Sequence, residues 1–213
     1  MRRLLNRCHH LLFGDQADRN TDPKRRSAIV SELDQQLDDW RRLLPPAFHF
    51  SVDMKPVQSQ QGAFLRQRFL TCRALIYRPY LMDVLIDHAS NRPSGHQKIE
   101  GARRCLQGCI LHIVNLRPFD QTVLVDMWIC ALSMAGTMMI ILAAFSTASL
   151  SNELSENLLS VGPHLTSLLT RWANVHGEGE SPSIAQAIQW IVIVDSLLQR
   201  GHQPANTHLG TPG

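Results

Sequence analysis

A long uncharged stretch near the middle of the chain constrains the fold more than any other feature. Residues Met127–Asn152 carry no charged side chain, and within them Met127–Phe145 is diluted only by one serine, one glycine and one threonine. A helix of this length is long enough to span a bilayer. In a globular fold it must instead be covered by the apolar faces of other helices. The rest of the sequence therefore decides between a buried helix and a membrane span.

The flanking segments favour a buried helix in an all-α fold. Most of them carry apolar residues at intervals of three or four, which predicts amphipathic helices whose apolar stripes need a partner. No segment alternates with period two over a length typical of a strand. We therefore predict a helical domain over residues 1–200 around a central buried helix at about 122–148, with a disordered tail at 201–213. One membrane span at about 127–145 stays as the alternative.

The clearest helical pattern covers residues 23–44. Asp22 is placed to cap this helix, and Pro23 suits its first position, where a missing N–H costs nothing. Pro45 and Pro46 are predicted to end it. Its apolar residues recur on one face, which predicts the side that packs inward: Ile29, Leu33, Leu37, Trp40 and Leu44.

A second long helix is predicted to begin at Ala63 and to kink or break near Arg78 and Pro79, because proline disfavours helical geometry in the residue before it. Carbonyls freed at such a break need donors, so the Arg78 guanidinium is predicted to act as a structural clamp. Further helices are predicted over 96–116, 151–160, 163–175 and 182–199.

Searches for catalytic and cofactor-binding motifs find none. The sequence has no Gly-x-Ser-x-Gly elbow, no Gly-x4-Gly-Lys phosphate loop, no His-Glu-x2-His and no Gly-x-Gly-x2-Gly. Asp38 and Asp39 form a carboxylate pair, but consecutive residues of a helix point in different directions. A solvated face with ion pairs to the nearby Arg41 and Arg42 is therefore favoured over an acid/base couple. We predict no catalytic residue and no bound cofactor, and do not expect an enzyme.

Cysteine and histidine spacing gives one candidate metal site. Cys105, Cys109 and His112 lie at i, i+4 and i+7 of a predicted helix, which would place three metal ligands on one face. No fourth ligand is identified and the surrounding positions are apolar, so a core stripe is favoured. No third metal ligand is identified for His9 and His10, and we interpret both as surface residues. The five cysteines are odd in number and lie mostly in apolar stretches, which predicts reduced core thiols.

Positive charge is concentrated in the first part of the chain, where 19 of the 21 lysines and arginines precede residue 126. The clusters Arg2-Arg3 and Lys24-Arg25-Arg26 are typical of solvated helix ends, and a nuclear localisation signal is the other interpretation. The sequence has neither a helix-turn-helix signature nor a zinc finger. Direct DNA binding by this chain is therefore not predicted.

Two short strings, in their order along the chain, resemble the middle homology region of fungal zinc-cluster transcription factors. The first contains Leu33, Leu37, Trp40, Leu44 and Pro45, and is followed by Phe48 and Phe50. The second is Tyr77-Arg78-Pro79 with the flanking Ile76, Tyr80 and Leu81, ahead of a helix centred on Cys105. The resemblance covers about residues 1–198.

The resemblance implies an all-helical, non-catalytic regulatory domain that works in the nucleus, with the transcription machinery or other regulators as partners. The family's six-cysteine cluster, which holds zinc and contacts DNA, is absent from this sequence. Zinc is therefore expected only in that cluster of full-length relatives. A small-molecule effector between the helices and a homodimer are further expectations. The sequence leaves open whether the chain is a fragment of a longer regulator or a complete protein.

Overall fold

The structure is a computed structural model of the 213-residue chain. The residues it describes are 1–14, 22–55, 57, 59–115, 124–145, 147, 150, 161–170 and 182–202. Within these ranges the chain forms helices and short connections and contains no strand. The predicted all-α class is therefore confirmed.

The helices of the described ranges are, in chain order, α1 (Arg2–Phe13), α2 (Pro23–Arg42), α3 (Gln60–Ala89), α4 (His96–Val114), α5 (Leu124–Phe145), α6 (residues 161–170) and α7 (Pro182–His202). A short 3₁₀-helix, Pro46–Phe48, follows α2. The chain divides into two compact units. The first comprises Met1–Arg117 and Thr147–Asn152, and the second comprises Pro118–Ser146 and Glu153–Gly213.

In the first unit, α2 forms where the sequence predicts it. The Asp22 carboxylate accepts a hydrogen bond from the backbone N–H of Lys24 at 3.1 Å, and Pro23 occupies the first turn. The helix ends at Arg42, two residues earlier than predicted. Its inward face has a fully buried centre with half-buried flanks: Leu33 and Leu37 are buried, and Ile29, Trp40 and Leu44 are half-buried.

One continuous helix, α3, runs through the position where we predicted a break. It extends from Gln60 to Ala89 with Pro79 inside it. A proline in a helix interior costs about 3 kcal/mol, because one backbone hydrogen bond is lost and the ring crowds the preceding turn. Large side chains beside it are buried, and each contributes about 1.5–3 kcal/mol: Ile76, Tyr77, Tyr80 and Leu81. Packing therefore outweighs the effect of the proline: the chain does not break here, and the kink, the other form of the prediction, stays a prediction.

Small residues bring α4 against α3 in an antiparallel pair. A Cβ atom added to Gly108 would lie 3.3 Å from the backbone N of Ala74, and one added to Gly101 would lie within 3.0 Å of three atoms of the Tyr80 side chain. The Cys105 thiol donates a hydrogen bond to the Ala74 carbonyl at 3.2 Å. The two glycines therefore permit the close approach, and the thiol adds a direct bond across it.

The connection between α3 and α4 is held by Asp87. Its carboxylate accepts hydrogen bonds from Lys98 Nζ at 2.7 Å and from the Ser94 hydroxyl at 3.1 Å, and Arg92 lies 3.3 Å away. The Lys98 bond in particular lowers the pKa of Asp87. Asn91 adopts the left-handed conformation, with φ 52°, which asparagine tolerates better than most residues. Polar contacts therefore stabilise this turn, whereas close packing stabilises the α3–α4 pair.

In the second unit, the apolar segment forms α5, which packs against α7. One stripe of α5 is fully buried: Met134, Met138, Ile141 and Ala144. Ser133 and Gly136 are exposed on the other side, with Thr137 half-buried beside them. The residues that dilute the apolar run therefore share one face. Met139 is exposed as well. Burial of α5 is therefore one-sided within the described residues, whereas we predicted a helix covered all round.

Among the residues whose side chains the structure describes, no helix is long and apolar enough to cross a membrane. Near the end of the chain, α7 continues to His202 and includes the first two residues of the predicted tail. Several predictions fall outside the described residues: the helix at 151–160, the last turn of the helix at 163–175, the side chain of Cys130, and the tail beyond residue 202.

Substituting Gly101 by alanine tests the close approach of α3 and α4. In G101A the new methyl group meets the first atoms of the Tyr80 side chain, which cannot move without shifting α3. We expect a net loss of about 1–2 kcal/mol in the free energy of unfolding, as overpacking exceeds the gain in helix propensity. The control is G136A, where a Cβ meets nothing within 4 Å; it should stabilise by about 0.5–1 kcal/mol. Chemical denaturation measures both, and a G101A variant as stable as the wild type would contradict this packing.

Candidate functional site

A polar groove of about 390 Å³ lies in the first unit between α2 and α4, with α3 as its floor. It is partly open to solvent. Its titratable and aromatic lining comes from all three helices: Asp34 and Asp38 on α2, Tyr77 and Tyr80 on α3, and His96, Glu100 and Arg104 on α4. Ser27 and Gln97 join the two walls through a hydrogen bond of 2.8 Å.

Tyr77 stands at the centre of the groove. Its hydroxyl donates to Asp34 Oδ2 at 2.7 Å and accepts from Arg104 Nη1 at 3.0 Å, while Arg104 Nε donates to Glu100 at 3.2 Å. Burial, together with the bond to Asp34, raises the pKa of Tyr77 to about 12. The hydroxyl therefore keeps its proton at neutral pH and bridges α2 to α4.

Arg73 extends this network along α2. Its Nε donates to Asp34 Oδ1 at 3.2 Å and its Nη2 donates to Asp38 Oδ1 at 2.8 Å. The same guanidinium lies over the Phe69 ring, 4.7 Å from its centroid. Asp34 thus accepts from both Arg73 and Tyr77, and both of its oxygens are occupied.

An aromatic cluster next to the groove fixes the connector after α2. Trp40 and Phe50 lie with their ring centroids 6.5 Å apart, and Phe50 meets Phe69 edge-on at 5.6 Å. Arg41 lies over the other side of this cluster, 5.5 Å from the Phe69 centroid. The connector is therefore held against α3 by the aromatic residues that follow the first string.

The structure places the residues of the two strings in one layer. Tyr77 lines the groove and bonds to α2, whose buried stripe contains Leu33 and Leu37. The other positions are structural: the Leu44 carbonyl lies 2.7 Å from His49 Nε2, Pro45 precedes the 3₁₀-helix, and Pro79 lies within α3.

Arg78 is half-buried and does not line the groove. Since α3 is continuous, the break that was to supply freed carbonyls is not found. Within the described ranges its guanidinium makes no hydrogen bond. The hydrogen bond between Cys105 and Cys109 raises the pKa of Cys105 and lowers that of Cys109, and the charge of Arg78 is a lesser, lowering influence on both thiols.

Sequence reasoning missed the charged residues that define the groove: Asp34, Arg73 and Arg104 were not singled out. A signal existed, because Asp34 and Asp38 are four residues apart and each follows a buried leucine of α2. Such a pair lies at the edge of an apolar stripe, where it meets the neighbouring helix. Asp39 forms the predicted local ion pair with Arg42 at 3.4 Å.

The cysteines agree with the predicted reduced core. Cys8, Cys72, Cys105 and Cys109 are buried and carry no disulfide. No group of three or more metal-ligating side chains occurs in the part of the chain that the structure describes. His112 Nδ1 is buried without a hydrogen-bond partner, and desolvation lowers the pKa of this histidine to about 4.

Comparisons with protein-family models, curated proteins and solved structures find no match to this chain. The groove is therefore interpreted from its own chemistry. Its guanidinium groups are paired with carboxylates, and the Tyr77 hydroxyl holds its proton. This arrangement is suited to binding a polar ligand through hydrogen bonds that reach three helices.

A pair of tyrosine variants tests the bridging role of the Tyr77 hydroxyl. In Y77F two hydrogen bonds between helices are lost, and we expect the free energy of unfolding to fall by about 1–2 kcal/mol. Y80F is the matched control, because the Tyr80 hydroxyl has no hydrogen-bond partner among the described residues. It should change stability by no more than about 0.5 kcal/mol. Urea denaturation measures both, and equal effects of the two variants would contradict the bridge.

The desolvated imidazole of His112, whose Nδ1 is buried, predicts that the free energy of unfolding falls as the pH falls. Its pKa is about 4 in the folded chain and about 6.5 when unfolded, so the unfolded state binds the proton first. The free energy of unfolding is therefore highest above pH 6.5 and falls as the pH drops towards 4. The fall is about 2 kcal/mol between pH 7 and pH 5.

Denaturation curves at the two pH values measure this loss in the wild type and in two variants. H112Q should remove most of it, and H10Q, at an exposed position of α1, should leave it unchanged. A wild-type loss that persists in H112Q would show that another group is responsible.

Proposed function

We propose that this chain is a non-catalytic regulatory domain of the fungal zinc-cluster transcription factor type. It works in the nucleus through contacts with the transcription machinery or other regulators, and it does not bind DNA itself. Zinc belongs to the separate six-cysteine cluster of full-length relatives. Assembly as a homodimer is part of the same proposal.

The observation that carries the proposal is the hydrogen bond of 2.7 Å between Tyr77 and Asp34. It joins the two strings on which the family resemblance rests, since Tyr77 belongs to the second and Asp34 directly follows Leu33 of the first. The bond therefore connects two helices, α2 and α3, that carry the two strings. This supports the view that they belong to one structural unit.

The groove supports a regulatory role in a second way. Its walls belong to α2 and α4, and its network includes a bond from α3 to each of them. A ligand that binds here contacts all three helices and favours the arrangement it fits best. Such a shift is how an effector would change the surfaces that meet other proteins.

A transcription reporter tests the proposed function. Fused to a heterologous DNA-binding domain, the chain should raise or lower reporter transcription severalfold relative to that domain alone. L37D should abolish the effect, because it buries an unpaired charge at a fully buried position and unfolds the unit. L43D is the control, since Leu43 is 83% exposed. A reporter unchanged in either direction by the wild-type fusion, expressed at the level of L43D, would overturn the proposal.

A further inference from the structure

The groove contains polar groups that its own network leaves unused. Tyr80 lines it and is only 8% exposed, yet its hydroxyl makes no hydrogen bond within the described ranges. Its oxygen is not one of the fully buried side-chain atoms that lack a partner in the described part of the chain, so it reaches solvent where Tyr80 lines the groove. This hydroxyl is therefore available to a bound molecule.

Both walls also keep free carboxylate oxygens. Asp38 accepts from Arg73 through Oδ1, and Glu100 accepts from Arg104 through Oε1. Their second oxygens accept no hydrogen bond from the residues that the structure describes. The free groups are thus acceptors on opposite sides of the groove, with two tyrosine side chains between them.

The charge of the groove selects the sign of a ligand. Three carboxylates line it, and the two guanidinium groups bonded to them leave one negative charge in excess. An anion would meet this excess and find both guanidinium groups already paired. A cation gains from the charge, whereas the Tyr77 ring already has the Arg104 guanidinium 5.5 Å from its centroid. Val30 is the one aliphatic side chain in the described lining, so the groove offers little to an apolar ligand.

We propose that the groove binds a small organic cation that carries primary ammonium groups. Each ammonium group has three donors, which match the free oxygens of Asp38 and Glu100 and the unpartnered hydroxyl of Tyr80. The ligand lies across α3 and links the α2 wall to the α4 wall. This inference rests on the proposed function for its regulatory meaning, whereas the binding itself is measured on the chain alone.

Isothermal titration calorimetry of the full chain with 1,4-diaminobutane tests the proposal. We expect saturable binding at one site and a rise in melting temperature. The comparison ligand is butane-1,4-diol, which has the same length and hydrogen-bonding ends but no charge. It should bind at least about tenfold more weakly, because charge-assisted hydrogen bonds are roughly twice as strong as neutral ones. Equal binding of the two, or no saturable heat with the diamine, would overturn the inference.

Variants locate the site. E100Q and Y80F should each weaken diamine binding, E100Q by about tenfold and Y80F by about threefold, while circular dichroism shows them folded. The control E32Q makes the same change as E100Q at an exposed position of α2 that does not line the groove. It should bind the diamine as the wild type does. Binding that E32Q weakens as much as E100Q would mark a general response to charge and overturn the groove as the site.

The experiments distinguish failure of the proposed regulatory function from failure of the proposed ligand site. A chain that regulates the reporter but binds no diamine keeps the proposed function and overturns the ligand class. A chain that binds the diamine in the groove but leaves the reporter unchanged keeps the ligand site and overturns the regulatory role.

Discussion

The close packing of α4 on α3 is the constraint on which the rest of the first unit depends. Glycine at positions 101 and 108 lets the two helices approach until a Cβ would collide with Tyr80 or press on Ala74. This approach brings Arg104 to within 3.0 Å of the Tyr77 hydroxyl. Larger residues at these glycines would separate the helices, and the bridge to α2 would lose its far end.

The polar network built on the α3–α4 pair joins three helices and also lines the groove. Tyr77 and Arg73 each bond to Asp34, and Arg73 also bonds to Asp38, so several polar contacts attach α2 to α3 beside its buried leucine stripe. These partly buried bonds fix the direction of α2 more than they add to stability, since desolvation offsets much of their Coulomb energy. Polar side chains line the space between α2 and α4 without closing it, and this space is the groove.

The proposed function and the proposed ligand depend on different parts of this arrangement. The regulatory role rests on two sequence strings that meet at the Tyr77–Asp34 bond. The ammonium site rests on acceptors that the network leaves free, above all the Tyr80 hydroxyl. Tyr77 and Tyr80 are three residues apart on α3, so one turn of this helix serves both the internal bridge and the open surface.

The sequence by itself determined the helices, because their apolar spacing, the Asp22 cap and the prolines after α2 act within a few residues. It also indicated buried thiols, which Cys8, Cys72, Cys105 and Cys109 confirm. Tertiary structure decided what depends on contacts between distant segments. Buried neighbours kept α3 continuous through Pro79, and α5 is covered on one side only. Asp34 and Arg104 met at the Tyr77 hydroxyl, and Arg73 joined them through Asp34. Such charges give no periodic signal, since their partners are set by how whole helices pack.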